Sequence, residues 1–304
     1  MPNPRPVYEL IGDVSDIPAG LPLVAGLTGF TDAGSAVGQV MGLLRNDLEH
    51  RDIAVFDNDE LLDYRSRRPI LMFAEDHLTD YQPARLTLTL TYDELHRPFL
   101  LLSGYEPDFR WDAFTRAVME LADRFQVAHL TWINAIPMPV PHTRPLGVTV
   151  SGNRTELTDA YSVWRPTTQV PGNALHLLEY RLQEAGVLTA GFVLLVPHYL
   201  ADTEYPVAAV AALESISAAT GLIFPTDELR EQGRDFLTKV EEQVEGNTEL
   251  ERLVATLEQR HDTYMEENPL PSPLVNEDGE LPNADTIAAE LERFLATRRD
   301  EPGA

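Results

Sequence analysis

Residues 21–44, LPLVAGLTGFTDAGSAVGQVMGLL, restrict the possible folds of this chain more than any other stretch. The apolar run 21–27 has the length and composition of a buried strand. It breaks at Gly29 and Phe30, and the turn Thr31-Asp32-Ala33-Gly34-Ser35 follows. Val37, Val40, Met41 and Leu44 then recur at the i, i+3, i+4, i+7 spacing of one helix face. A strand that feeds a helix through a glycine-containing turn is half of a βαβ unit. Its helix N-terminus can hold an anion.

The alternation continues along the chain. Apolar or alternating runs predict strands over 52–56, 69–73, 86–92, 98–102, 129–133, 147–150 and 191–196. Helical spacing predicts helices over 111–125, 171–186 and 206–220. Pro171 stands at the favoured first helical position of the second of these, and Gly221 stops the third. Between 134 and 145 four prolines predict a stiff, non-helical loop. From residue 226 the pattern is purely helical, over 226–245, 248–267 and 284–298. The expected architecture is a three-layer α/β/α sandwich around a mostly parallel mixed sheet. Its α/β core covers 1–225, and a C-terminal helical appendage covers 226–304. In such sheets ligands bind beyond the carboxyl ends of the strands. The unusual loops after Phe30, Ser103, Ile133 and Val196 all fall at that edge.

Composition removes several function classes. The chain has no cysteine, so thiolate nucleophiles, disulfides and thiolate-held metals are excluded. Lys239 is the only lysine, which leaves no phosphate-gripping lysine elsewhere. The net charge is −26, and half of it lies from residue 226 onward. Such a surface repels nucleic acid and anionic membranes. No apolar run reaches the ~20 residues of a membrane span, and the N-terminus lacks the plan of a signal peptide. The expectation is a cytoplasmic protein with no cofactor and no metal.

Candidate site residues come from the four loops. Asp32, Gly34 and Ser35 form a turn whose N–H groups could face an anion. Glu106, Asp108 and Arg110 place opposite charges in one short loop, with Glu106 a candidate general base and Arg110 a ligand-binding group. Arg144 suits bidentate grip of a phosphate or carboxylate, and His142 and His198 are candidate proton shuttles. The same residues also have structural roles open to them. Asp32 can cap its helix, the Glu106–Arg110 loop can be ordered by ion pairs, and both histidines can anchor loops. No Gly-x-Ser-x-Gly, Walker A or Gly-x-Gly-x-x-Gly pattern occurs, which disfavours serine hydrolase, P-loop and dinucleotide chemistry.

These loops also carry a resemblance. GFTDAGSA (29–36), RSRRP (65–69), GYEPDFRW (104–111), PHTRP (141–145), VPHY (196–199) and ELERFL (290–295) follow one another as in the PAC2 family, named for the second proteasome assembly chaperone. The chain resembles its bacterial, actinobacterial-type members over nearly its whole length. The resemblance implies a core similar to that of nucleoside phosphorylases and a homo-oligomer, with a trimer favoured. It implies no established reaction. A Tyr-x-Gly-Pro-Thr-Gly-like turn is replaced here by Gln169-Val170-Pro171-Gly172-Asn173. The ending Arg299-Asp300-Glu301-Pro302-Gly303-Ala304 lacks the hydrophobic-Tyr-x tail that docks on proteasome rings. The favoured expectation is a chaperone-like or scaffold protein with a protein partner. The alternative is a phosphorylase-, hydrolase- or ligase-like enzyme with a small anionic ligand held among Asp32, Glu106, Arg110, His142, Arg144 and His198.

Overall fold

The computed structural model describes residues 6–268. The helix expected over 284–298, and most of the proline-rich stretch before it, lie outside the described residues.

The opening βα unit is present as β2 (Leu23–Thr28) and α1 (Ala36–Asn46), preceded by a short β1 (Tyr8–Leu10). Next come β3 (His50–Phe56), a single helical turn α2 (Asn58–Leu61), and the hairpin β4 (Ile70–Ala74) and β5 (His77–Gln82). β6 (Leu86–Tyr92), β7 (Pro98–Tyr105), α3 (Trp111–Arg124) and β8 (His129–Met138) follow. β9 (Val148–Gly152), α4 (Thr155–Tyr161), α5 (Ala174–Glu184) and β10 (Leu188–Pro197) complete the sheet. The described chain closes with α6 (Pro206–Thr220), α7 (Asp227–Glu245) and α8 (Thr248–Glu267).

Eight strands form one sheet in the order β1-β3-β6-β7-β2-β8-β10-β9. Its centre, β7-β2-β8-β10, is parallel, and the flanking strands on both sides are antiparallel. The central strands are continuous apolar runs because helices cover both of their faces. On one face Val37, Val40 and Leu44 of α1 pack with Leu213 and Ile216 of α6 over Phe192 and Leu194. On the other, Phe114 and Leu121 of α3 and Leu175 and Leu178 of α5 cover Leu88, Leu100 and Trp132. The three layers are thus present. The C-terminal helices build on the first face: Leu229 and Val240 of α7 join its core, and Phe236 lies 5.6 Å from the Tyr205 ring. Val254 and Leu257 are the buried side of α8.

Four elements depart from the sequence reading; one is α5, which starts at Ala174 with Asn173 as its cap, so Pro171 is not its first helical residue. β8 runs on through Pro137 to Met138, where the prolines predict that the strand has ended. Its contact with β2 ends at Trp132, apart from one bridge between Asp32 and Ala135, so at Pro137 β8 has only β10 beside it, an edge position of the kind where a strand tolerates proline. β5 and α4 are additional elements in segments with no clean period.

One buried polar cluster ties the layers together. Trp132 Nε1 donates to Glu179 Oε2 of α5 at 2.6 Å, and Ser151 Oγ of β9 donates to the same oxygen at 2.9 Å. Gly191 on β10 lies against the indole: a Cβ there would stand 2.3 Å from the ring. Burial raises the Glu179 pKa, and the Trp132, Ser151 and Gln183 bonds offset this in part. A carboxyl whose folded pKa is raised binds more protons folded than unfolded. Its contribution to stability is therefore lost as pH rises from the ordinary glutamate value through the folded one. Glu179→Gln, which keeps an acceptor oxygen, is expected to gain thermal midpoint relative to wild type as pH rises from 5 to 8. A difference that stays constant across that range contradicts a buried, upshifted carboxyl.

Candidate functional site

Because β7, β2, β8 and β10 are parallel, the loops that follow them emerge at one edge of the sheet. Asp32 continues β2 into its bridge with Ala135. Its carboxylate accepts from the N–H groups of Val37 (2.8 Å) and Gly38 (2.9 Å), in place of the anion expected there. The turn uses its other N–H groups internally as well. Gly34 N donates to Ala201 O at 2.8 Å and Ser35 N to Asp32 O at 3.0 Å. Gly34, at φ 69°, lies so close to Tyr205 that a Cβ would come within 2.9 Å of that side chain. Burial raises the Asp32 pKa, and the helix N–H groups pull it back down.

Glu106 repeats this arrangement at a second helix. It follows β7, and its Oε1 accepts from Ala174 N at 2.8 Å, at the start of α5. Asn173 caps the same helix by accepting from His176 N. Burial raises the Glu106 pKa, opposed by the Ala174 N–H and by Arg67. Two helix N-termini at this edge are therefore each filled by a carboxylate of the chain itself. The physical reason is proximity: a tethered carboxylate meets the helix N–H groups without the association cost that a free anion bears.

The remaining candidates are also paired within the protein. Arg110, in left-handed conformation at φ 57°, forms an ion pair with Glu60 of α2. Asp108 accepts from Arg67 at 2.8 Å and from Asp63 N at 2.7 Å. Arg67 also donates to Glu106 O at 2.9 Å and lies over the Tyr105 ring. His142 is buried, and its main-chain N and Nδ1 both meet the Tyr199 hydroxyl, at 2.8 and 2.7 Å. The hydroxyl accepts from the main chain and shares a hydrogen bond with Nδ1, and burial holds the ring's pKa down. His198 is exposed and touches only the edge of Tyr199, at 5.4 Å between ring centroids. The bidentate grip expected of Arg144 is present, but its partner is α8: Nε and Nη2 reach Asp262 Oδ1 and Oδ2 at 2.8 and 2.7 Å, and Nη1 reaches Glu258 at 3.2 Å. Arg144, then His261, holds the Asp262 carboxyl well below the usual carboxylate range.

The edge thus gathers two clusters, Glu106–Arg67–Asp108 beside α5, and His142–Tyr199 with Arg144 under α8. Glu106, His142 and His198 do not contact one another. Asp262 and Glu258 were legible only as part of an acidic helix, and Tyr199 only as part of the VPHY motif. Among the described residues no three His, Cys, Asp or Glu side chains converge as a metal site. Beside the second cluster lies a cavity of about 610 Å³ between the 138–148 loop, the end of α4 and α8, walled almost wholly by apolar groups.

The Arg144 contacts fix where α8 sits. In Arg144→Ala, amide hydrogen exchange is expected to speed up across 248–267 while α6 keeps its protection. Equal protection of α8 in the two proteins contradicts this.

A parallel-centred sheet between two helical layers, with its edge loops closed by C-terminal helices, defines the architectural class. Comparison with known proteins places the chain within it. The model of the PAC2 family matches residues 26–244, and the chain belongs to that family. A protein of unknown function from Corynebacterium glutamicum is 39% identical, with 86% of this chain and 98% of the other covered and a TM-score of 0.81. A Mycobacterium tuberculosis protein of unknown function is also 39% identical, covering 88% and 92%, with a TM-score of 0.79. A proteasome-assembly chaperone homologue of Mycobacterium tuberculosis shares the fold at 22% identity and a TM-score of 0.71, covering 77% and 100%. No curated protein matches the chain. No helix among the described residues is long and apolar enough to cross a membrane.

Proposed function

We propose that this protein is a chaperone-like scaffold that works as a homo-oligomer, a trimer, through protein surfaces rather than through catalysis at the strand ends. The observation that carries the reading is the β4–β5 hairpin. Its two strands pair only with each other among the described residues, and Ile70, Met72, Phe73, Leu78 and Tyr81 are all more than half exposed. A two-stranded hairpin is marginal in water by itself, and an apolar one with open edges calls for a partner. Its neck carries two exposed basic residues, Arg65 and Arg68, in a chain of net charge −26. An acidic partner surface, including that of another copy, is complementary to it. The internal pairing of Asp32, Glu106, Arg110 and Arg144 supports the same reading, because these groups spend their charge on holding the fold.

Membership of a family with proteasome-assembly chaperone homologues supports a chaperone-like role. The test is to mix the chain with unassembled proteasome α-subunits and follow ring formation by size-exclusion chromatography. Faster ring formation with co-elution is expected. Unchanged kinetics and separate elution contradict the proteasome partner, while the mass of the chain alone tests the oligomer.

A further inference from the structure

The scaffold reading gives no role to the cavity beside α8. Its volume, about 610 Å³, falls in the range of about 300–1,000 Å³ that small-molecule sites occupy. Met138 at the end of β8, Leu146 of the loop that follows, Tyr161 and Trp164 at and beyond α4, and Tyr264 and Met265 of α8 supply its walls. Aromatic rings offer large flat apolar contacts, and methionines adapt to the shape of what they meet. Tyr161 and Tyr264 are each more than a third exposed, so these walls gain by covering.

The course of α8 explains the open space. Its buried stripe, Val254 and Leu257, packs on the protein, while the next positions of that stripe, His261 and Met265, line the cavity. Arg144 engages Glu258 and Asp262 of the same helix. Arg260, also on the cavity wall, has Thr256, Leu257, Thr263 and Tyr264 at i±3 and i±4, so no acid neutralises it from its own helix face. It forms no ion pair among the described residues. Trp164 is held through its main chain, whose carbonyl accepts from the hydroxyls of Thr149 and Ser162. Its indole N–H has no acceptor among the described residues. Both groups can only donate. An apolar space edged by unmatched donors, one of them a full positive charge, suits an apolar molecule that ends in an anionic acceptor.

We propose that this cavity binds a small amphipathic carboxylate, of the class of a medium-chain fatty acid. The alkyl body lies among the aromatic and methionine walls, and the carboxylate is held by Arg260. The bound acid touches both α8 and the loop after β8, and so adds to the hold that Arg144 has on that helix. The proposal is independent of the oligomer reading.

Calorimetric titration of the full chain with decanoate, and with decanol as its uncharged counterpart, is the test. Saturable binding of decanoate is expected, with decanol weaker. Arg260→Gln, at an exposed position, is expected to weaken decanoate about tenfold or more, the worth of a charge-assisted hydrogen bond, and to leave decanol unchanged. Ala160→Trp sets a large ring into the space from another exposed lining position and should abolish binding of both. On the wild-type chain, decanoate should slow amide exchange across 160–164 and 260–265, which locates the site even if Ala160→Trp fails to fold. Lack of saturable decanoate binding overturns the proposal, as does binding that survives Ala160→Trp or protects other segments instead. Decanol as tight as decanoate, or Arg260→Gln with wild-type affinity for decanoate, overturns the assignment of an anionic ligand.

Discussion

Trp132→Ala is expected to cost about 3–5 kcal/mol, the range for removing a large buried aromatic side chain. In a protein of this size that lowers the thermal midpoint by roughly 5–10 °C. Three features make the loss large. The side chain is fully buried where β8, β10 and α5 meet. Its neighbour Gly191 has no side chain that could move into the space left behind. Its N–H is one of the donors that let Glu179 remain buried, so the carboxylate loses a partner as well. Urea unfolding measures the loss directly. A change below about 1 kcal/mol contradicts a rigid cluster at this point. The conservative Trp132→Phe keeps most of the volume and should lie between wild type and Trp132→Ala.

Architecture was largely legible in the sequence because period carries it. The 206–220 and 248–267 helices stand at the bounds their spacing predicts, since Pro206 and Gly221 punctuate the first and Asn247 caps the second. The hairpin was half legible: Ile70–Ala74 is a clear apolar run, but its partner His77–Gln82 is mixed in character and carries Asp80 at φ 51°. The edge loops were legible as a set, because parallel strands send their carboxyl ends the same way. The partners of their charges were not. Arg144 has its acids at 258 and 262, more than a hundred residues away, and nothing in local spacing points there. The capping role of Asp32 was visible because its N–H partners lie five and six residues on; that of Glu106 was not, because Ala174 is 68 residues distant. Short-range physics reads from sequence, and tertiary pairing needs coordinates.

The second large effect is on assembly. Met72→Asp with Phe73→Asp is expected to convert the protein into folded monomers. Met72 is 56% and Phe73 67% exposed, so the substitutions remove no core packing and the thermal midpoint of the protomer should hardly move. A stable interface buries about 800 Å² per partner around a desolvated apolar centre, and two carboxylates placed in that centre bear a desolvation cost. Leu95→Asp is the control, since Leu95 is 60% exposed outside the hairpin and its substitution should leave the assembly intact. In the proposed assembly high salt should weaken association only in part, because salt screens attraction to Arg65 and Arg68 but not apolar burial.

Static light scattering on the wild-type chain at micromolar concentration tests the central claim most directly. Assembly through the hairpin requires a mass three times that of the protomer, falling to the single-protomer value in the Met72→Asp, Phe73→Asp variant. A wild-type protein that scatters as one protomer, or a variant that keeps the wild-type mass, contradicts it.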